Sequence, residues 1–163
     1  MNIRTLGALA ALTLLLAACG DDKAATQGAA SGGGGGGGAT AANVVPGSEE
    51  DLKANVGDRV LFDYDKTLLN DAAKVVLDRQ AAWLGRYASV NVQIAGNCDE
   101  RGTEEHNIVL GQRRANIARD YLVAKGVASA RMATISYGKD RPVALGSDEE
   151  AWKQNRNAIT EVR

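Results

Sequence analysis

Beyond its first fifty residues the chain switches repeatedly between two periodicities. DRVLFDYD (58–65) alternates apolar and polar positions, with Val60, Phe62 and Tyr64 on one face, which predicts a strand. NDAAKVVLDRQAAWLGRY (70–87) brings Ala73, Val76, Leu77, Trp83 and Leu84 together at helical spacing, with Asn70 or Asp71 placed to cap the start. SVNVQIAG (89–96) alternates again. EEHNIVLGQRRANIARDYLVAKG (104–126) predicts a long helix that stops at Gly126. RMATISYG (131–138) predicts a strand, SDEEAWKQNR (147–156) a short helix opened by a Ser-x-x-Glu capping box, and NAITEVR (157–163) a last strand. The order β-α-β-α-β-α-β shows no internal repeat. It predicts an α/β sandwich with the helices on one face of a sheet, and leaves open whether that sheet is parallel or mixed. Aromatic residues are scarce, so Phe62, Trp83, Tyr121 and Trp152 are the expected core or near-core anchors.

The first fifty residues carry neither period. Met1 to Ala18 reads as an export signal, with Arg4 as its positive n-region and an apolar run from Leu6 to Ala17 interrupted only by Gly7 and Thr13. That run falls short of the roughly 20 apolar residues a membrane span needs, and no later segment reaches that length either. Leu16-Ala17-Ala18-Cys19-Gly20 resembles the bacterial lipobox. The resemblance implies diacylglyceryl attachment to Cys19, cleavage before it and further acylation of its amine. Several acyl chains, each worth about 0.8 kcal/mol per buried CH2, would anchor the chain stably. An ordinary signal peptide with a chance cysteine is the other reading. By the same resemblance, Gly20 in place of an aspartate favours the outer membrane. From Gly20 to about Ser48 the chain includes seven consecutive glycines and almost no large apolar residue, so it reads as a flexible tether. The expected organisation is signal peptide 1–18, lipidated N-terminus and tether 19–50, and folded domain 51–163.

The charge is nearly balanced, at 19 Lys+Arg against 20 Asp+Glu. Removing the signal deletes one arginine, Arg4, and no acid, leaving 18 against 20 and a formal charge of −2. That balance gives no argument for nucleic acid. With Cys19 lipidated, Cys98 has no partner for an intramolecular disulfide and reads as a small buried residue; a reactive thiol is the alternative.

Charge concentrates at one junction, NCDERGTEEHN (97–107), where a strand ends and a helix begins. Thr103 is placed to cap the helix, and Glu104 and Glu105 suit the positive end of its dipole. Asp99 and Arg101 have no such explanation. At 100° per residue, with Leu110 set to zero, Ile117 falls near 340° and Tyr121 near 20°; Arg114 lies inside this apolar stripe at about 40° and Arg113 at its edge near 300°. A buried arginine needs a partner, and Asp99 is the acid just before the helix. Either the two form a structural ion pair or Arg114 simply snorkels, or they line a cleft in which Arg114 takes a carboxylate in a two-point contact and Asp99 accepts from an ammonium group.

GNCDERGTEEHNIVLGQRRANIARDYL, with LFDYDK before it and ISYGKDRPVALGSDEEAWKQNRNA after it, resembles the peptidoglycan-associated lipoprotein family and its OmpA-like C-terminal domain. The resemblance runs from about Asp58 to the C-terminus. It implies an OmpA-like two-layer sandwich, with helices on one face of a mixed sheet, that binds the peptidoglycan stem peptide without cleaving it. The implied ligand is meso-diaminopimelate, whose free end carries one ammonium and one carboxylate. By position, the key aspartate of the family falls on Asp99 and the key arginine on Arg114; Tyr64, Asp65 and Leu110 match further ligand contacts, and Arg101 and Thr103 match loop positions. The family also implies partners in the Tol–Pal system, notably a TolB-like periplasmic protein competing for the same surface, and a part in envelope integrity and cell division. A protein-interaction module of that kind with little peptidoglycan affinity is the alternative reading. Cys98, Glu104 and His106 depart from common family residues, but none removes a charge from the site.

An enzyme would need a catalytic set. The single histidine, His106, is expected on an exposed first turn with no orienting partner, and one His with one free Cys makes a poor zinc site. The expectation is a binding protein with neither cofactor nor metal.

Overall fold

The computed structural model describes residues 44–163. The expected signal peptide, Cys19 and most of the expected tether lie outside the described residues. A short helix, α1 (Glu49–Asp51), continues as a single π-helical turn over Leu52–Val56. Then follow β1 (Arg59–Leu61), α2 (Asp71–Arg86), β2 (Val92–Asn97), α3 (Glu104–Ala124), a 3-10 turn (Ser129–Arg131), β3 (Met132–Gly138), α4 (Glu149–Asn155) and β4 (Asn157–Val162).

The sheet order is β1-β4-β2-β3. β2 and β3 are parallel across the α3 crossover, whereas β4 runs antiparallel to both β1 and β2. The sheet is therefore mixed, which the pattern of elements alone left undecided. α2 and α3 close one face over a core of Leu52, Val60, Phe62, Leu77, Leu84, Val92, Ile94, Ala115 and Leu122. Gln80 of α2 is fully buried in that layer and satisfied at both ends: its Nε2 donates to the Gly57 carbonyl and its Oε1 accepts from Thr160 of β4. Gly96 of β2 and Gly111 of α3 meet backbone to backbone, so the helix crosses the sheet with no side chain between them.

The termini follow local chemistry. Asn70 caps α2 by accepting from the Ala73 N–H, Thr103 caps α3 by accepting from His106, and Gly126, at φ 97°, ends α3 as expected. Two expectations are corrected. α4 is capped by Asp148, which accepts from the Ala151 N–H at 2.8 Å, rather than by Ser147; a carboxylate is the stronger acceptor at the positive helix end. The first strand ends at Leu61 and does not continue to residue 65. Val60 and Phe62 point into the core as expected, but Tyr64 is exposed. Beyond Phe62 the backbone turns, with the Lys66 N–H donating to the Asp63 carbonyl and Asp65 at φ 51°.

The described chain comes in where β4 ends. Glu49 accepts from the Val162 N–H, and Asp51 accepts from the Gly47 N–H, Asn55 and the Trp83 indole at 2.8–2.9 Å. The Gly47 N–H, then Asn55 and Trp83, hold the Asp51 carboxyl below its ordinary 3.8. A depressed folded value means stability that is fully present above the unfolded pKa and is lost as pH falls through the folded one. The denaturation midpoint of the wild type should therefore drop as the pH is lowered below about 4. Asp51→Asn should lower stability at pH 7 and flatten that acid limb; an unchanged limb in the variant would show that the Asp51 bonds do not contribute.

Candidate functional site

At the opposite end of the sheet, where β1 and β2 finish, lies a cleft of about 310 Å³. Its walls come from the turn after β1 (Tyr64, Asp65), the loop after β2 (Cys98 to Thr103), the first turns of α3 and the residue before β4. A crevice outside the carboxyl ends of strands is where open α/β sheets place ligands. All seven binding residues expected from the sequence, Tyr64, Asp65, Asp99, Arg101, Thr103, Leu110 and Arg114, line it.

Arg114 is fully buried, as its helical phase requires, and Arg113 is exposed. The partners of Arg114 correct the ion-pair reading, because they are three backbone carbonyls and the Cys98 thiol, not Asp99. Nε donates to the Lys66 carbonyl at 3.0 Å, Nη2 to Asp63 at 3.0 Å, and Nη1 to Asn97 at 2.8 Å and to Cys98 Sγ at 3.5 Å. The guanidinium also lies 5.2 Å from the Phe62 ring. It thus ties the turn after β1 to the end of β2. Burial pushes its pKa down. One N–H of its five, on Nη2, is left for a ligand, which is too few for the expected two-point contact.

Asp99 is paired with two other arginines. Arg101 donates from its backbone N–H at 3.1 Å, from Nε at 3.2 Å and from Nη2 at 2.5 Å, and Arg156 Nη1 lies at 3.3 Å. Burial pushes the Asp99 carboxyl up, but these bonds outweigh it and hold the group below the usual carboxylate range. The Arg101 guanidinium is sandwiched between Tyr64 and Trp152, 4.1 Å from each ring centre. Arg156 continues to the Phe62 carbonyl and Glu149. Thr103 sits at the rim and Leu110 supplies apolar surface at the floor. His106 Nε2 lies 2.9 Å from Asp65 Oδ1, so the exposed first-turn histidine does have a partner across the mouth.

The model of the OmpA family matches residues 61–156. The chain belongs to the OmpA family. It is 52% identical over 120 residues to the peptidoglycan-associated lipoprotein of Rhizobium meliloti (strain 1021), covering 74% of this chain and 68% of that one. With the peptidoglycan-associated lipoprotein of Haemophilus influenzae (strain ATCC 51907 / DSM 11121 / KW20 / Rd) the identity is 44% over 100 residues, 61% of this chain and 65% of the other. Among solved structures, the crystal structure of the peptidoglycan-associated lipoprotein from Burkholderia pseudomallei superposes with a TM-score of 0.63 at 42% identity, covering 65% of this chain and 90% of that one. The C-terminal domain of Helicobacter pylori MotB gives 0.61 at 19% identity, over 65% of this chain and 84% of the other, which is a likeness of fold alone.

This OmpA-family cleft also depends on residues whose part in it leaves no mark on the sequence pattern, Arg156 and Asn107 in its lining and Trp152 behind Arg101. Arg156 sits between α4 and β4, where no periodic face marks it as buried. Trp152, expected as a core or near-core anchor, is half-buried; one side stacks on Arg101 while its indole donates to Glu100 at 2.9 Å. Asn107 is buried and donates to the Arg101 carbonyl, fixing the loop from behind. The expectation for Cys98 holds: the thiol is 3% exposed, and burial pushes its pKa up to about 11, so it stays protonated at neutral pH.

Proposed function

We propose that this chain is an outer-membrane-anchored envelope lipoprotein that binds peptidoglycan non-covalently through the zwitterionic end of meso-diaminopimelate in the stem peptide. It would thereby tie the outer membrane to the cell wall as part of a Tol–Pal system, in support of envelope integrity and cell division. The observation that carries the reading is the convergence of Tyr64, Asp65, Asp99, Arg101, Leu110 and Arg114, from three separated segments, on one cleft of mixed charge. The names of the relatives point the same way, and the lipobox-like Leu16–Cys19 supplies the anchor. Full-length chain is expected to sediment with peptidoglycan sacculi, and Asp99→Ala to abolish that. Free diaminopimelate should compete, whereas lysine, lacking the second carboxylate, should compete poorly. Retention by a folded Asp99→Ala chain would overturn the site. An intact mass matching an unmodified chain that begins at Met1 would overturn the anchor.

Tyr64, in the cleft wall, is 56% exposed, and Leu68, four residues on, is 77% exposed. The exposed Tyr64 ring in the wall of a charged cleft favours a second use of this rim, as the docking surface for a TolB-like periplasmic protein. Such a partner would exclude peptidoglycan, so sacculi should displace it in a competition pulldown.

A further inference from the structure

Asp99 is 3% exposed, and Arg101 is one of the two arginines paired with it. The fork of Arg101 bonds both carboxylate oxygens, and two aromatic rings clamp the guanidinium in that position. A ligand ammonium that approaches Asp99 therefore finds a cation already in place.

The two arginines on Asp99 are not equally free to leave. Arg156 is 5% exposed and is also held by the Phe62 carbonyl and Glu149. The Arg101 side chain is 29% exposed and sits beside Gly102, whose φ of 92° marks the bend of the loop. Neither N–H of Arg101 Nη1 makes a hydrogen bond, and its nearest acid, Glu149, is 3.8 Å away. With one N–H of Nη2 also unused, Arg101 has more donors to offer a carboxylate than Arg114 has.

We propose that a ligand binds this cleft by an exchange of ionic partners: its ammonium replaces the Arg101 guanidinium on Asp99, and the released guanidinium takes the ligand's carboxylate. This rests on the zwitterion reading of the cleft and deepens it. The exchange leaves no charge unpaired in a partly desolvated site. A diamine would displace Arg101 and leave it only Glu149, 3.8 Å away and already bonded to Arg156, as its anion. A dicarboxylate would leave the Arg101–Asp99 pair closed. Selectivity for a ligand end bearing both charges then follows from Arg101, in addition to the shape of the cleft.

Calorimetric titration of the full-length chain with meso-diaminopimelate, 1,5-diaminopentane and pimelate tests this, because the last two are the same carbon chain without carboxylates and without amines. The wild type should prefer diaminopimelate to either by about tenfold or more. In Arg101→Met no fork competes for Asp99, so 1,5-diaminopentane should bind about tenfold more tightly than to the wild type. The preference for diaminopimelate over the diamine should then largely collapse. Should Arg101→Met fail to fold, Arg101→Lys, which keeps the charge and loses the fork, should show a smaller gain in the same direction. Diamine affinity that is unchanged or lower in a folded variant would overturn the exchange alone. Failure of the wild type to bind diaminopimelate would overturn the zwitterion reading and the exchange with it.

Discussion

Arg114→Ala is expected to lose roughly 3–5 kcal/mol of stability, read as a fall in the midpoint of chemical denaturation followed by circular dichroism. The side chain is fully buried, and three backbone carbonyls from two segments converge on its guanidinium. Without it, the Asn97 carbonyl loses a buried donor, while those of Asp63 and Lys66, on exposed residues, can turn to water. The space left behind adds a cavity term. Arg114→Lys should lose much of the same stability, because a single ammonium cannot reproduce a planar fork that serves separate acceptors. Arg113→Ala, one position away and exposed, should stay within about 0.5 kcal/mol of the wild type. Equal stability of the two alanine variants would show that Arg114 does not hold the turn. The consequence for binding experiments is direct. Loss of ligand by Arg114→Ala cannot by itself assign a ligand contact, because the wall containing Tyr64 and Asp65 depends on the same guanidinium. Asp99→Ala meets the same objection, because Asp99 is buried and holds both Arg101 and Arg156, so each variant needs its fold checked beside its binding.

The second large effect is expected at the crossing of α3 over the sheet. A β-carbon on Gly96 would lie far inside van der Waals contact with the Gly111 carbonyl oxygen, and one on Gly111 would collide with Ser136 Oγ and the Gly96 carbonyl. The backbone clash at Gly96 has no side chain that can swing away, so β2 and α3 must separate. Gly96→Ala should cost about 3 kcal/mol or more, beyond the usual range for overpacking. Gly111→Ala should cost less, because Ser136 has a rotamer to change. It should cost something all the same, although alanine is the better helix former by about 1 kcal/mol. Thermal unfolding of both variants checks the order. A Gly96→Ala protein as stable as the wild type would mean that the helix rides higher on the sheet than described.

Much of this fold was legible because its elements are strongly periodic. α2, α3, β2 and β3 follow apolar spacings that their caps and the Gly126 stop reinforce. The alternation of Val60, Phe62 and Tyr64 predicts a longer strand than β1; a remote arginine that draws the Asp63 and Lys66 carbonyls inward leaves no mark on local pattern. Helical phase alone separated Arg114 from Arg113, so the burial was readable. Its partners were not, since carbonyl acceptors carry no residue type, and an acid in the adjoining loop was the natural guess. Arg101 is expected only as a loop position matched by resemblance; its hold on Asp99 is not legible, because its clamp is made of Tyr64 and Trp152, almost ninety residues apart. Arg156, at a junction between elements, belongs to no face that a period could reveal.

The chain comes in at the end of the sheet where β4 finishes, and the cleft opens at the other end, where β1 and β2 finish. β1 leads directly from the first to the second, paired antiparallel with β4 from Arg59–Ile159 to Leu61–Asn157. A pull between a ligand in the cleft and the N-terminal segment would therefore act along the strands. Bonds that lie across the direction of load share it and must fail together, where a pull across the sheet would open them one at a time. For a domain held at one end and loaded at the other, that is the orientation in which a short ladder resists tearing best.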